Sequence, residues 1–193
     1  MVGRDRWKLE VRGLVGPSAM NNVCAPGLST MTEINASIVP NLWFDREAEQ
    51  AAEHYIAAFG GNGRITNTIA AQPNSPSPQD VPLVVEFELA GQRFVGINGG
   101  PQFKFTEAVS LEVRVTGQDE LDRLWAALVE GGQEQPCGWL KDKFGLSWQI
   151  TPTEYYDLLD KGDAAGEERL MAAVMSTMGK FDIAKLQAAY NNG

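Results

Sequence analysis

The sequence predicts an α+β fold: two βαβββ modules whose curved mixed sheets surround a cleft, followed by a helical C-terminal extension. Three observations predict it. A strand–helix unit occurs twice, with an apolar stripe in matching phase and a Gly-Gly terminator in each copy. Strands of period-two alternation follow each helix. Residues 152–193 carry helical spacing alone.

The first module opens at Ile38. Ile38, Pro40, Leu42 and Phe44 alternate with Val39, Asn41 and Trp43, the period of a strand. Asp45 is positioned to cap the helix REAEQAAEHYIAAFG, whose Ala48, Ala51, Ala52, Tyr55, Ile56 and Phe59 form one apolar stripe. Gly60-Gly61 ends it, because glycine enters the left-handed conformation of a helix stop without strain. His54, the one histidine of the chain, falls with Glu47, Gln50 and Glu53 opposite the stripe and reads as a solvated surface residue. Strand patterns follow at 64–70, 82–89 and 93–98, the first two separated by the turn-rich AQPNSPSPQD.

The second module repeats this order. Ala108–Val115 alternates, the helix GQDELDRLWAALVEGG carries Leu121, Leu124, Trp125, Leu128 and Val129, and short strands fall at 133–136, 138–142 and 146–151. The tail is helical in two or three pieces, broken at Lys161-Gly162 and Gly179. Tyr155, Tyr156, Met171, Met175 and Met178 fall at helical spacings within it and read as packing of these helices. Residues 1–30 lack periodicity and read as a disordered leader or an overextended start, with Met31 the working initiator. The expected organisation is therefore 1–30 leader, 31–151 paired-module domain and 152–193 helical extension.

Each helix must cover the apolar face of its sheet. That assigns Leu42/Phe44, Val95/Ile97, Val109/Leu111/Val113 and Leu146/Trp148/Ile150 to the helix side. The opposite faces then hold Asn41 and Trp43; Phe94, Gly96 and Asn98; Ser110, Glu112 and Arg114; Ser147 and Gln149. Aromatic walls with a few polar groups are the ordinary make-up of a small-molecule cleft. The plainer alternative is the wet face of an antiparallel sheet.

Composition excludes several classes. The 25 acids outnumber the 16 bases for a net charge of −9, and no basic run follows residue 12, so nucleic-acid binding is not expected. No apolar window approaches the ~20 residues of a membrane span, and the N-terminus lacks the apolar core of a secretory signal. Two cysteines, Cys24 and Cys137, make no disulfide framework, so a cytoplasmic location is the default expectation.

The stretches NLWFDREAEQAAEHYIAAF, LVVEFELAGQRFVGINGGPQFKFTEAVSLEV and CGWLKDKFGLSWQITP, with the tail MGKFDIAKLQAAY, carry a more specific signal. Over about residues 31–190 they resemble the PhnB-like branch of the vicinal oxygen chelate superfamily, which includes glyoxalase I, extradiol dioxygenases and fosfomycin-resistance proteins. That branch often carries a 3-demethylubiquinone 3-methyltransferase label. The resemblance implies a glyoxalase-like fold. In metal-dependent members it implies ligands on the first strand, the last strand of the first module, the opening strand of the second module and the final strand. The final-strand pattern D-x-x-G-x-x-x-E reads here as Asp142, Gly145 and Gln149, and the other positions fall on Asn41, Asn98 and Ser110. Amides and a hydroxyl offer no anionic or imidazole donor to offset the hydration a divalent ion loses, so neither a catalytic metal nor a cofactor is expected.

The ligand-binding candidates are Asn41, Trp43, Phe94, Asn98, Ser110, Glu112, Arg114 and Gln149. Two weaker catalytic candidates stand beside them. Glu112 could act as a general base if desolvated, or simply pair with Arg114. Cys137 has Lys141 and Lys143 nearby in sequence but no histidine to activate it. The INGGP segment, 97–101, could offer backbone N–H groups to an anion or serve as a tight module connection. Three functions remain open: metal-free binding of a small, partly apolar molecule; a metal-dependent lyase or dioxygenase; and methyl transfer. The last is disfavoured because S-adenosylmethionine enzymes use a glycine-rich turn after the first strand, and FDREAEQ contains none. A homodimer is the expected assembly, since exposed sheet edges accept partners.

Overall fold

The computed structural model describes residues 36–75 and 77–192, so the expected leader lies outside the described residues. The first module comprises β1 (Asn41–Phe44), α1 (Ala48–Ala58), β2 (Gly63–Ala70), β3 (Pro82–Leu89) and β4 (Gln92–Asn98). Its sheet runs β1-β4-β3-β2, with β1 parallel to β4 and the other pairs antiparallel. The second comprises β5 (Ser110–Val115), α2 (Gln118–Val129), β6 (Gln133–Glu134), β7 (Trp139–Lys141) and β8 (Ser147–Pro152). Its sheet runs β5-β8-β7-β6, with β5 parallel to β8. The same βαβββ topology thus occurs twice, and α3 (Thr153–Leu159), α4 (Ala164–Ser176) and α5 (Ile183–Asn191) follow.

In each module the first helix carries the chain back across the sheet, which makes the first and last strands parallel neighbours. The stripe of α1 is buried at Ala48, Ala51, Ala52 and Tyr55. Its stop is the expected glycine pair: Gly60 and Gly61 have φ of +66° and +81°, and the Gly61 N–H donates to the Ile56 carbonyl at 2.9 Å. Gly162 and Gly179 likewise break the tail in left-handed conformations.

The start of α1 differs from expectation. Asp45 does not cap it, and Glu47, at the cap position, makes no side-chain cap bond. The cap comes from the far end of the sheet: Asn98 Oδ1 accepts from the Ala48 N–H at 2.9 Å, and Asn98 Nδ2 donates to the Pro82 carbonyl at 2.7 Å. Asn98 is 0% exposed, and both ends of its amide are used.

That finding corrects the faces assigned to β4. The parallel register sets Asn41 beside Val95, Leu42 beside Gly96 and Phe44 beside Asn98, and laterally paired residues share a face. Phe94, Gly96 and Asn98 therefore lie beneath α1, while Val95 and Ile97 share the open face with Asn41 and Trp43. A phase error of one residue inverts a whole strand. The β-branched Val95 and Ile97 suggested core, but a side chain at Gly96 would place its Cβ 2.9 Å from the Cβ of Ala48. Only glycine admits the helix so close to this strand. Phe94 fills the space alongside by stacking on Phe87, with ring centroids 5.3 Å apart at 16°.

In the second sheet Leu111 and Val113 share the helix side with Trp148 and Ile150, as expected; Val109 falls before β5 and is exposed. Two further expectations are overturned. His54 is partly buried, with its ring 5.9 Å from Tyr55 and 5.8 Å from Phe144, and its buried Nε2 has no hydrogen-bond partner among the described residues. Met171, Met175 and Met178 are exposed rather than packed between the tail helices.

The two modules share one core. Tyr55 of α1, fully buried, touches Phe87 of its own sheet and Trp148 of the other, with centroids 6.3 and 5.2 Å away. The helix-covered faces of both sheets thus meet in common packing, and each open face lies on the side of its sheet away from it.

Candidate functional site

The parallel pairing of β5 with β8 sets Ser110 beside Ser147, Glu112 beside Gln149 and Arg114 beside Thr151, all on the face opposite Leu111 and Val113, where Ser147 and Thr151 are nonetheless buried. Gln149 Nε2 donates to Ser110 Oγ at 2.8 Å. The Glu112 carboxylate accepts from Arg114 Nε at 3.1 Å and from the Tyr156 hydroxyl. Tyr156 reaches it because α3 begins at Thr153 with no loop after β8, folding its first turn back over the strand ends. The Arg114 guanidinium lies over the Tyr156 ring, 4.1 Å from its centroid.

These contacts fix the charge state. Burial alone would raise the Glu112 pKa, but hydrogen bonds from Tyr156, Arg114 and Thr151 outweigh it and hold the carboxyl below its ordinary range. The Tyr156 hydroxyl is pushed up, first by burial and then by the carboxylate it donates to. Glu112 thus accepts from two groups, Arg114 and Tyr156, and its pairing with Arg114 is the plainer of the two arrangements weighed for it.

A groove of about 470 Å³ runs along the outer edge of β5, which among the described residues pairs with β8 alone. Ser110, Glu112 and Arg114 give it a polar rim; Phe59, Phe94 and Trp148 give it apolar walls. Phe94 reaches this groove from the helix side of its own sheet, not from the open face expected for it.

The remaining candidates lie elsewhere. Asn41 is exposed, with Nδ2 donating to the Val39 carbonyl at 3.0 Å. Trp43 is held beneath the module connection: its Nε1 donates to the Gly100 carbonyl at 2.8 Å, and a Cβ at Gly99 would fall 2.0 Å from its ring. The Gly99 and Gly100 N–H groups donate to the carbonyls of Phe44 and Asp45, so these amides tie the segment to the end of β1 and form no anion nest. Cys137 is partly buried with φ of +60°, its N–H donating to the Thr177 carbonyl at 2.9 Å. Tyr156 and Thr151 were missed by sequence reasoning. The signal for Tyr156 was that Pro152 alone separates the last strand from TEYY.

The metal implied by the superfamily resemblance can be tested against these side chains. Asn98 is consumed as a buried helix cap, Gln149 donates to Ser110, and Asn41 turns to its own backbone. The four positions do not converge, and none offers an anionic or imidazole donor. Among the described residues no three His, Cys, Asp or Glu side chains gather as a metal would require. The residues do not fit a chelated divalent ion.

Comparison with known proteins agrees with the architecture. The family model described as 3-demethylubiquinone-9 3-methyltransferase matches residues 36–151. Among solved structures, the chain is similar to the PhnB protein of Bacillus cereus, with 30% identity, 61% of this chain and 99% of that one covered, and a TM-score of 0.55. It is also similar to a protein from Pseudomonas aeruginosa, with 22% identity, 61% and 97% coverage and a TM-score of 0.49. A glyoxylase/bleomycin resistance protein/dioxygenase domain from Frankia sp. EAN1pec follows at 15% identity, with 61% and 91% covered and a TM-score of 0.42. No curated protein matches the sequence. The matched model spans more than half of the chain and takes in both βαβββ modules, and the chain accordingly belongs to the family so described, with a PhnB-like fold.

Proposed function

We propose that this protein binds a small, partly apolar molecule in the groove along β5, without a catalytic metal, and that it does so as a homodimer. One observation carries the reading: a strand edge with no partner among the described residues, bordered by Ser110, Glu112 and Arg114, meets apolar walls made by Phe59, Phe94 and Trp148. Such a surface suits a ligand with one polar end and an apolar body. Arg114, about half exposed and stacked on Tyr156, is the group best suited to meet an anionic or carbonyl end. The sheet edges support pairing of two copies: β2 offers eight residues whose outer side has no neighbour strand among the described residues, without proline and with Arg64 its one charge.

Native mass spectrometry of the full chain purified without chelator tests the first part. The expected result is an organic ligand retained by the wild type and lost from Arg114→Ala, with no stoichiometric metal. Stoichiometric zinc, nickel, manganese or iron would instead favour a metal-dependent lyase or dioxygenase. Sedimentation tests the second part: a species of twice 21.0 kDa is expected, and one of 21.0 kDa would exclude the dimer.

Methyl transfer, which the family description names, is the weaker reading. The sheets are two mixed four-stranded ones, and β1 leads into DREAEQ with no glycine to cradle the cofactor. Calorimetric titration with S-adenosylmethionine is expected to give no heat of binding.

A further inference from the structure

A second cavity, of about 670 Å³, opens where the end of β1, the start of α1, the inter-module segment and the β7–β8 turn meet. It shares no residue with the β5 groove. Its lining is aromatic. Trp43 and Phe103 meet edge to face at 5.0 Å, and Phe44 meets Phe105 at 5.3 Å and Phe144 at 6.3 Å. Phe103 is 65% exposed although it stands over Trp43, so an apolar ring at the mouth is left for something flat to cover.

The walls carry opposite charges. Asp45 and Glu47 come from the α1 side, whereas Lys104 comes from the inter-module segment and Lys141 and Lys143 from the end of β7 and its turn. Lys141 is engaged: its ammonium pairs with Glu107 at 2.5 Å, and that hydrogen bond, before others, pulls the Glu107 carboxyl down to about 2. Lys104 and Lys143 have no described carboxylate within 4.0 Å, and Lys143 Nζ sits 5.4 Å from the centre of the Phe144 ring. Two lysines with no described carboxylate partner thus share one cavity lining with two carboxylates and several aromatic rings, in a chain with a net charge of −9.

We propose that this cavity binds a small aromatic zwitterion. Its ring lies against Trp43, Phe103 and Phe144, its carboxylate turns to Lys104 and Lys143, and its ammonium turns to Asp45 and Glu47. The rim groups are wet, so each ion pair alone is weak, and ring contact supplies most of the affinity. The charges select by sign and direction: an anion or cation of the same shape satisfies one wall and leaves the other facing only solvent.

The test uses the full chain and three probes of matched shape: para-(aminomethyl)benzoate, para-toluate and para-methylbenzylamine, followed by saturation-transfer NMR and calorimetry. The zwitterion is expected to bind at least fivefold more tightly than either singly charged probe. Lys104→Glu with Lys143→Glu should weaken the zwitterion and the toluate by tenfold or more and spare the amine. Glu47→Gln should weaken the zwitterion and the amine and spare the toluate. Any probe held in the β5 groove is lost from Arg114→Ala, so the three affinities and the effects of the Lys and Glu variants are read in that background too and should keep the same order, which separates failure here from failure of the groove. Equal binding of all three probes, or no saturable binding of any, overturns the proposal from the wild type alone, whatever the variants do.

Discussion

The hydroxyl of Tyr55, on α1 of the first module, donates at 2.8 Å to Asp142, in the β7–β8 turn of the second. Asp142 is only 3% exposed and also accepts from Trp148 Nε1 at 2.8 Å and from the Phe144 and Leu146 N–H groups at 2.8 and 3.0 Å. Four donors on one carboxylate explain how an acid is buried here with no cation paired to it among the described residues. Tyr55→Phe removes one donor and should cost about 1.5–3 kcal/mol. Asp142→Ala strips two buried side-chain donors of their acceptor and should cost more, about 3–5 kcal/mol. Urea unfolding followed by tryptophan fluorescence measures both; a larger loss in Tyr55→Phe than in Asp142→Ala would contradict the arrangement.

The same contact predicts alkaline behaviour. Burial first, then the charge and hydrogen bond of Asp142, push the Tyr55 pKa well above its ordinary value of 10.0. A raised native pKa means that the stabilisation is fully present below the unfolded value and is lost as pH rises beyond it. Ultraviolet titration should therefore show one tyrosine that ionises only with unfolding, and Tyr55→Phe should abolish that late step. Ionisation of every tyrosine near pH 10 in the folded protein would count against it.

Much of this fold was legible because the repeat, the stripes and the glycine stops are local signals. Tyr55 could be assigned to the buried stripe from spacing alone. What spacing could not give was the phase of β4, since F-V-G-I-N alternates equally well either way. The decisive fact, that α1 passes within contact of Gly96, is tertiary. His54 failed for a related reason: its helix faces both its own sheet and the second module's turn, so a position opposite one stripe is still covered by Phe144. At the site, Glu112 and Arg114 were legible as neighbours on one face. Tyr156, arriving from a helix packed back over that face, was not.

Asn98 separates a structural role from a binding one. As the cap of α1 and the donor to Pro82, it should cost about 1–3 kcal/mol of stability when changed to alanine, through the lost cap and the lost bond to the part-buried Pro82 carbonyl. Asn98→Asp keeps an acceptor for the Ala48 N–H but turns an oxygen toward the Pro82 carbonyl, so it should be destabilising too. Chemical denaturation distinguishes the cases: an aspartate variant as stable as wild type would mean that the Pro82 contact contributes nothing.

Glu112 should titrate below the usual glutamate range, because Tyr156, Arg114 and Thr151 favour the charged form more than burial disfavours it. Tyr156→Phe removes one of these donors and should move the Glu112 pKa upward, a change that carbon-detected NMR of the carboxyl resolves. Since Tyr156 also lies under the Arg114 guanidinium, the variant should loosen Arg114 and weaken any ligand held in the β5 groove. An unmoved Glu112 titration would show that the tyrosine contact is incidental.

His54 gives the protein an acid-side dependence of predictable sign. Its pKa is lowered from 6.5, first by burial and then by Lys143, against smaller opposing effects of Asp142 and Glu130. The native state therefore favours the neutral ring, and its buried Nε2 has no acceptor to reward a proton among the described residues. Below 6.5 the unfolded chain takes up a proton that the folded chain resists, so stability falls as pH drops through that value and stops falling on this account once the native ring is charged. His54→Gln removes the contribution while keeping a polar side chain of similar reach. Urea midpoints measured between about pH 7.5 and 5.5, above the range where most carboxylates titrate, should therefore decline more steeply in the wild type than in His54→Gln. Parallel declines would mean that the ring is free to take its proton in the folded state, and that the α1 contact with Phe144 opens to water.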